Sequence, residues 1–333
     1  MAPTIVSHLT PPPAPRSGRP PNPARAAVQL IADQRLARPA PRYATARALG
    51  SLALYASLAW LGLAIDSVAV WIPIWLACSL ILLGCGPAIH EAAHNNLYRS
   101  RRANLVAGVL WGLPILASSV LYRAAHLAHH QWTHESRDSE PLDRFTSVAQ
   151  YLLLAPLVTV AYLALMWKDA VLTLARRPPD YARRFASRPT VAANVLALIA
   201  TLAGAVTIGT SFPREVFFVW GVPWLITVLY WLNLVAVPEH YEMAYGPAPV
   251  LETTRSVATN PILRIAYWNH NWHAEHHLSP QVPSCRLGPV NELIAGDDPP
   301  WVQRGYLRYH AELVGRIRRG EIPDPPPQRP QVA

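Results

Sequence analysis

The chain has 333 residues, of which 51% are hydrophobic and only 15% charged, with a formal net charge of +9 and a positive mean hydropathy. Soluble domains carry about a quarter charged residues, so this composition argues against a water-soluble domain and for a membrane protein. No basic block is interleaved with stacking aromatics, which speaks against a nucleic-acid partner, and three cysteines make no disulfide framework.

Residues 1–25, with PPPAP and RPPNPAR, read as a disordered proline-rich tail and contain no apolar core of a secretory signal. Four apolar stretches follow, at 48–65, 67–86, 190–209 and 216–237. Each is long enough to cross a hydrocarbon layer of about 30 Å as a helix. Two weaker stretches, 105–122 and 148–167, are read as interfacial or re-entrant. WVQRGYLRYHAELVGRIRR, from Trp301 to Arg319, has the pattern of a basic amphipathic helix lying as a cap at the membrane surface. Residues 321–333 form a second proline-rich tail, which leaves 45–320 as the membrane domain. The expected fold is all-α, with four transmembrane helices and a cytoplasmic helical cap. Cys78 and Cys85 fall in an apolar stretch, Cys285 stands alone, and all three are expected to be small packing residues.

Charge sets the orientation. The join between the first two spans holds Asp66 and no Lys or Arg, and the join between the last two holds only Arg214. The other 28 of the 29 basic residues lie before the first span, between the second and third, or after the fourth. Four spans put those three regions on one side, and the positive-inside rule makes that side cytoplasmic, with both termini. The net charge then reflects topology and contact with anionic lipid headgroups.

The chemistry lies in the histidines. His90 and His94 follow the second span in HEAAH; His126, His129 and His130 lie in HLAHH; His240 follows the fourth span; His273, His276 and His277 lie in HAEHH. Residues i, i+3 and i+4 share one face of a helix, so each motif offers two or three imidazoles together. Neutral imidazole suits iron, zinc and copper. Nine ligands exceed the four of a tetrahedral zinc and suffice for two ions, with the ninth making one ion five-coordinate. His134 and His270 are set aside as non-ligands, and His8 and His310 are expected at the surface. Histidine ligands usually donate their other ring N–H to a carboxylate or carbonyl; Glu91, Asp138, Asp143, Glu239, Asn269 and Glu275 are near enough in sequence to serve.

HEAAH also matches the H-E-x-x-H pattern of zinc peptidases, with Glu91 as general base. That reading uses His90, Glu91 and His94 and leaves both triplets unexplained. A membrane protein that binds metal without catalysis is a further alternative.

HEAAH, HLAHH and NHNWHAEHHLSPQVP together resemble the three histidine boxes of the membrane fatty acid desaturase superfamily. The third is the most specific, with Asn269, His273, Glu275, His276, His277, Leu278, Pro280, Val282 and Pro283 in the register of N-x-x-H-x-E-H-H-L-x-P-x-V-P. The likeness spans about residues 45–290. It implies a pair of iron ions on the cytoplasmic side that use O2 to attack an unactivated C–H bond, most simply a fatty acyl desaturase. A hydroxylase or ketolase of the same superfamily, acting on a lipid or hydrocarbon, is the alternative. No catalytic group apart from the metal ligands is implied. The chain carries no flavin or nicotinamide fingerprint and no cysteine cluster for iron–sulfur, so electrons would come from a separate ferredoxin- or cytochrome-type donor. Some acyl-CoA desaturases place an asparagine four residues before the lone histidine that follows the last span; here that position is Ala236, and Asn233 is nearest.

Overall fold

The computed structural model describes residues 29, 31, 32, 35–140, 145–295 and 299–322. It is 73% helix and 2% strand, in keeping with the expected helical class. Both proline-rich tails lie outside the described residues except at Glu321 and Ile322; Ile322 is buried against Tyr309 and Leu313.

Helices α1 (Pro41–Ile65) and α2 (Val68–Ala93) form a hairpin joined at Asp66 and Ser67. Helix α1 is almost bare, with Leu52 and Trp60 about 70% exposed. So apolar and uncovered a helix is suited to lipid. Helix α2 breaks at Gly84, where an added Cβ would lie 2.7 Å from the Trp268 indole nitrogen. Glycine there lets Trp268 pack against the chain that presents the first histidine pair.

Helices α3 (Arg101–Ile115) and α4 (Ser119–Trp132) are bent by 107°. This is the weaker stretch 105–122, which turns back on itself. The turn leaves carbonyls without helical partners, and an unpaired group in hydrocarbon costs several kcal/mol. Indoles fill the need: Trp220 Nε1 donates to Pro114 O at 2.8 Å and Trp167 Nε1 to Leu116 O at 3.1 Å. Asn194 Oδ1 accepts from Ser118 Oγ and the Val120 amide. Gly112 is required at the turn, since a Cβ would stand 2.5 Å from Ala117 O.

Helix α5 (Val148–Leu174) continues beyond the expected 148–167 and is 27 residues long with mean hydropathy 1.9. Among the described residues, five helices are therefore long and apolar enough to cross a membrane, where the sequence reading counted four; the others are α1, α2, α6 (Arg188–Ser211) and α7 (Pro213–His240). At the tight turn between α6 and α7, Arg214 makes a two-pronged ion pair with Asp66, at 2.6 and 2.9 Å. The one basic residue of the two span joins thus pairs with the acidic residue of the other join.

Helix α7 widens into π turns at Phe217–Gly221 and Thr227–Trp231. Its prolines each displace a hydrogen bond to the carbonyl four residues earlier. For Pro223 that carbonyl is Val219 O, which accepts from Tyr55 Oη at 2.6 Å. For Pro238 it is Leu234 O, which accepts from His310 Nε2 at 2.9 Å. His310, expected at the surface, is half-buried because it fills this gap; His8 lies outside the described residues.

The remainder covers the C-terminal ends of α2, α4 and α7. Strands β1 (Ser256–Ala258) and β2 (Val302–Arg304) pair in parallel, Ser256 opposite Val302; sequence gave no sign of them. Helix α8 (His273–Leu278) carries the third histidine motif, followed by α9 (Leu287–Ile294). Helix α10 (Tyr306–Arg319) buries Tyr306, Tyr309, Leu313 and Ile317 and turns its arginines outward, the expected amphipathic cap. Cys78 and Cys85 are buried packing residues and Cys285 is partly exposed; all three are free.

Candidate metal centre

The ends of α2, α4 and α7 converge, and α8 closes over them. The nine motif histidines meet there in two adjoining groups. In the first, ring nitrogens of His90, His94, His126, His130 and His276 all lie within 4.8 Å of one another. In the second, His129, His240 and His277 do the same, and His273 Nε2 joins at 2.9 Å from His240 Nε2. Neighbouring nitrogens within groups stand 2.9–3.1 Å apart: His126 to His130, His130 to His276, His129 to His240. Two imidazole nitrogens bound at right angles to one ion, each at about 2.1 Å, would stand about 3 Å apart. The i, i+3, i+4 spacing on α4 divides its three rings, His126 and His130 to the first group and His129 to the second. His240 completes the group of four, and the five-membered group is the one built on HEAAH.

These rings are buried: His90, His126, His129, His273, His276 and His277 are each less than 9% exposed. Many of their nitrogens, including His94 Nε2, His276 Nδ1, His277 Nε2 and both of His90, have no hydrogen-bond partner. Burying an unpaired polar atom is unfavourable, and a cation bound among them removes the penalty. Burial, followed mainly by neighbouring imidazoles, holds His94, His273, His276 and His277 well below the ordinary histidine value. The rings are then neutral, the form that binds metal. The donor set therefore fits two cations of imidazole-preferring metals.

Several rings are held from behind. Asp138 Oδ1 lies 2.8 Å from His129 Nδ1. The Thr253 carbonyl accepts from His240 Nδ1 at 3.2 Å, whereas His273 Nδ1 has no hydrogen-bond partner: Glu239 Oε1, which accepts from Tyr267 Oη, stands 3.7 Å away. His126 Nδ1 is 3.4 Å from Glu140, whose other oxygen accepts from Tyr162 Oη. Glu140 was not anticipated. It is 14 residues from His126, and a turn through Asp138 brings it back.

The remaining candidates divide differently. Glu91 points from the first group toward the Ser284 amide at 2.9 Å and His270 Nε2 at 3.3 Å. Glu275 is fully buried but turned away: it accepts from Ser256 Oγ, Asn291 Nδ2 at 2.6 Å and Trp301 Nε1 at 3.0 Å, tying α8 to β1, α9 and the cap. Asn269 bonds the Tyr43 phenol rather than a motif histidine. Asp143 lies outside the described residues. His134 donates to or accepts from its neighbours apart from the groups, its Nδ1 at 2.8 Å from Ala244 O. His270 is 2% exposed and packs on His90. Asn233 is committed elsewhere: its amide bonds Thr159, Pro156 O and Val228 O, bracing the irregular turn in α5.

Apolar helices long enough to cross a membrane, with two convergent imidazole groups that could hold metal ions at their ends, place the chain in the class of helical membrane-type proteins with a candidate metal centre. The fatty acid desaturase family model matches residues 66–307, and the chain belongs to that family. Dihydrorhizobitoxine desaturase of Bradyrhizobium elkanii is 27% identical over 271 residues, which is 74% of each chain. The protein is an oxidoreductase of the desaturase type.

Proposed function

We propose that this chain is an O2-dependent membrane oxidase with two iron ions, which introduces a double bond into a lipid acyl chain. The observation that carries the reading is the division of nine imidazoles, six buried and three half-buried, into adjoining groups of five and four. His90, His94, His126, His130 and His276 would hold one iron, and His129, His240, His273 and His277 the other. When bound, the irons supply the redox chemistry with O2 that hydrogen abstraction from an unactivated C–H bond needs and that side-chain acids and bases lack.

The chain's own residues supply position and shelter. Asp138, Glu140 and the Thr253 carbonyl hold His129, His126 and His240 with Nε2 inward. Tyr122, stacked on His126 with ring centroids 5.2 Å apart, walls the first group on its membrane side. The apolar helices bring an acyl substrate to the site. Two electrons per turnover come from a separate ferredoxin- or cytochrome-type donor at the cytoplasmic face.

A four-crossing topology, with both termini and the site cytoplasmic, is supported by the histidines themselves. His94, His129 and His240 adjoin one another, so the chain crosses an even number of times between each pair. The tight α6–α7 hairpin supplies two crossings before His240. The bent α3–α4 pair must then enter and return, and α5 lies along the surface instead of crossing.

The family and the relative's name favour desaturation over hydroxylation or ketone formation. In that name the substrate is dihydrorhizobitoxine, so the acyl chain is argued here from the apolar surroundings. The zinc-peptidase alternative is disfavoured by Glu91, whose carboxylate is tied to Ser284 and Asn96 rather than free to act as a base. Lipid profiling of a host expressing the gene, against an empty vector, tests the proposal. New unsaturated chains are expected; new hydroxylated chains alone would transfer the reading to a hydroxylase.

A further inference from the structure

His270 belongs to neither imidazole group, yet it is 2% exposed. Its ring stands edge-on to His90, centroids 4.3 Å apart and planes at 74°. Its Nε2 is 3.3 Å from Glu91 Oε1, an ion-pair distance without hydrogen-bond geometry, and donor atoms of His90, Glu91 and His270 lie within 4.8 Å of one another, so the test must separate positioning from ligation. Glu91 is itself anchored: the Ser284 amide donates to Oε2 at 2.9 Å, and Asn96 Nδ2 reaches Oε1 at 3.5 Å while donating to Pro280 O at 2.9 Å. The carboxylate thus joins the first histidine motif to the loop that follows the third.

The backbone that presents His270 is expensive to hold. Trp268 and Asn269 are successive non-glycine residues in the left-handed region, with φ of 53° and 62°, a conformation that asparagine tolerates and a bulky tryptophan disfavours. The turn is secured on both sides. Trp268 is wedged edge-to-face against Trp111 and Tyr43. Asn271 exchanges two hydrogen bonds with Val257, at 2.7 and 3.0 Å.

His90 is the ring with the greatest need of support. His126, His129 and His240 each have Nδ1 tethered, whereas neither nitrogen of His90 has a hydrogen-bond partner. The contact with His270 stands where a tether would be. We propose that His270 is a positioning residue: backed by Glu91, it fixes the ring of His90 and so sets the geometry of the five-imidazole group, without being a ligand. This rests on the metal-binding reading under Proposed function, but not on the identity of the metal or the substrate.

Cobalt(II) loading of the full-length metal-free protein in detergent tests it, read by visible absorption and by competition with a chelator. His270→Ala is expected to bind as many cobalt ions as the wild type, with an altered absorption band and about tenfold weaker binding at one site. Glu91→Gln should reproduce that change. His270→Gln, which keeps an N–H toward Glu91, should recover most of the wild-type band, and it carries the test if His270→Ala fails to insert. A wild-type band and affinity in His270→Ala would make the residue a bystander and overturn the proposal. Loss of one cobalt ion would overturn it in the other direction, by making His270 a ligand. A wild type that binds two cobalt ions but yields no oxidised lipid counts against the proposed reaction alone; one that binds none counts against both.

Discussion

Replacing Asp138 by alanine isolates one imidazole group from the other. The Asp138 side chain is 4% exposed and that of His129 2%. Its carboxylate accepts from His129 Nδ1 at 2.8 Å, from the His134 amide at 2.8 Å and from the Glu140 amide at 2.9 Å. Bonds to a charged acceptor contribute about 1.5–3 kcal/mol each. The two amides lie on a partly exposed loop and can turn to water, which leaves the His129 tether as the main loss. Removing such a partner lowers metal affinity about 10- to 100-fold. His129 serves only the group of four, so Asp138→Ala should weaken that iron by this factor; the group of five is touched only indirectly, through the Glu140 amide and His126, and should be weakened less. Dialysis against graded chelator, followed by iron analysis, should give a plateau near one iron per chain before the second is removed. Equal loss of both irons, or retention of both with wild-type turnover, would refute the division into independent groups.

His240→Ala should lower bound iron and stop product formation while the protein still inserts, whereas His134→Ala, whose ring bonds Ala244 O, should keep its iron; a His240→Ala protein with full iron and turnover would remove His240 from the site. Glu275→Ala strands the buried donor Ser256 Oγ and the part-buried donors Asn291 Nδ2 and Trp301 Nε1, and should cost about 1–3 kcal/mol in unfolding free energy; iron loss without a fall in thermal stability would contradict the tethering role given to it. The metal-free protein should be acid-sensitive. His94, His273, His276 and His277 are depressed in the fold by burial and by neighbouring rings, so the unfolded chain takes up more protons below about pH 6.5. Their contribution is full above that pH and is lost as pH falls toward the folded values; an unfolding temperature that holds or rises on acidification would contradict this.

The histidines were legible because their spacing is a helical pattern, and a pattern on one face survives any tertiary arrangement. Asp138 was legible because it is a carboxylate only nine residues from the His129 it supports, just past the end of the same helix. Glu140 and His270 were not. Glu140 reaches His126 only through a turn pinned by Asp138, and His270 faces His90 only because two residues before it adopt left-handed backbone against their preference. Asn269 and Glu275 show the converse error: proximity in sequence says nothing about which way a side chain leaves its element, and both point away from the rings. Among the helices, the apolar stretches marked α1, α2, α6 and α7 well. The full length of α5 was hidden because Lys168 and Asp169 end its apolar pattern; the helical break inside it, at Ala155–Leu157, is repaired by Asn233 from α7. Such repair by a distant side chain also escaped notice at Pro223 and Pro238, whose freed carbonyls are taken by Tyr55 and His310.

Metal analysis of the purified full-length protein, combined with Mössbauer spectroscopy after growth on enriched iron, bears most directly on the central claim. Two irons per chain in two distinguishable sites are expected, one held by five imidazoles and the other by four. One zinc and no iron, bound at His90 and His94 and indifferent to loss of His129 or His277, would contradict the account.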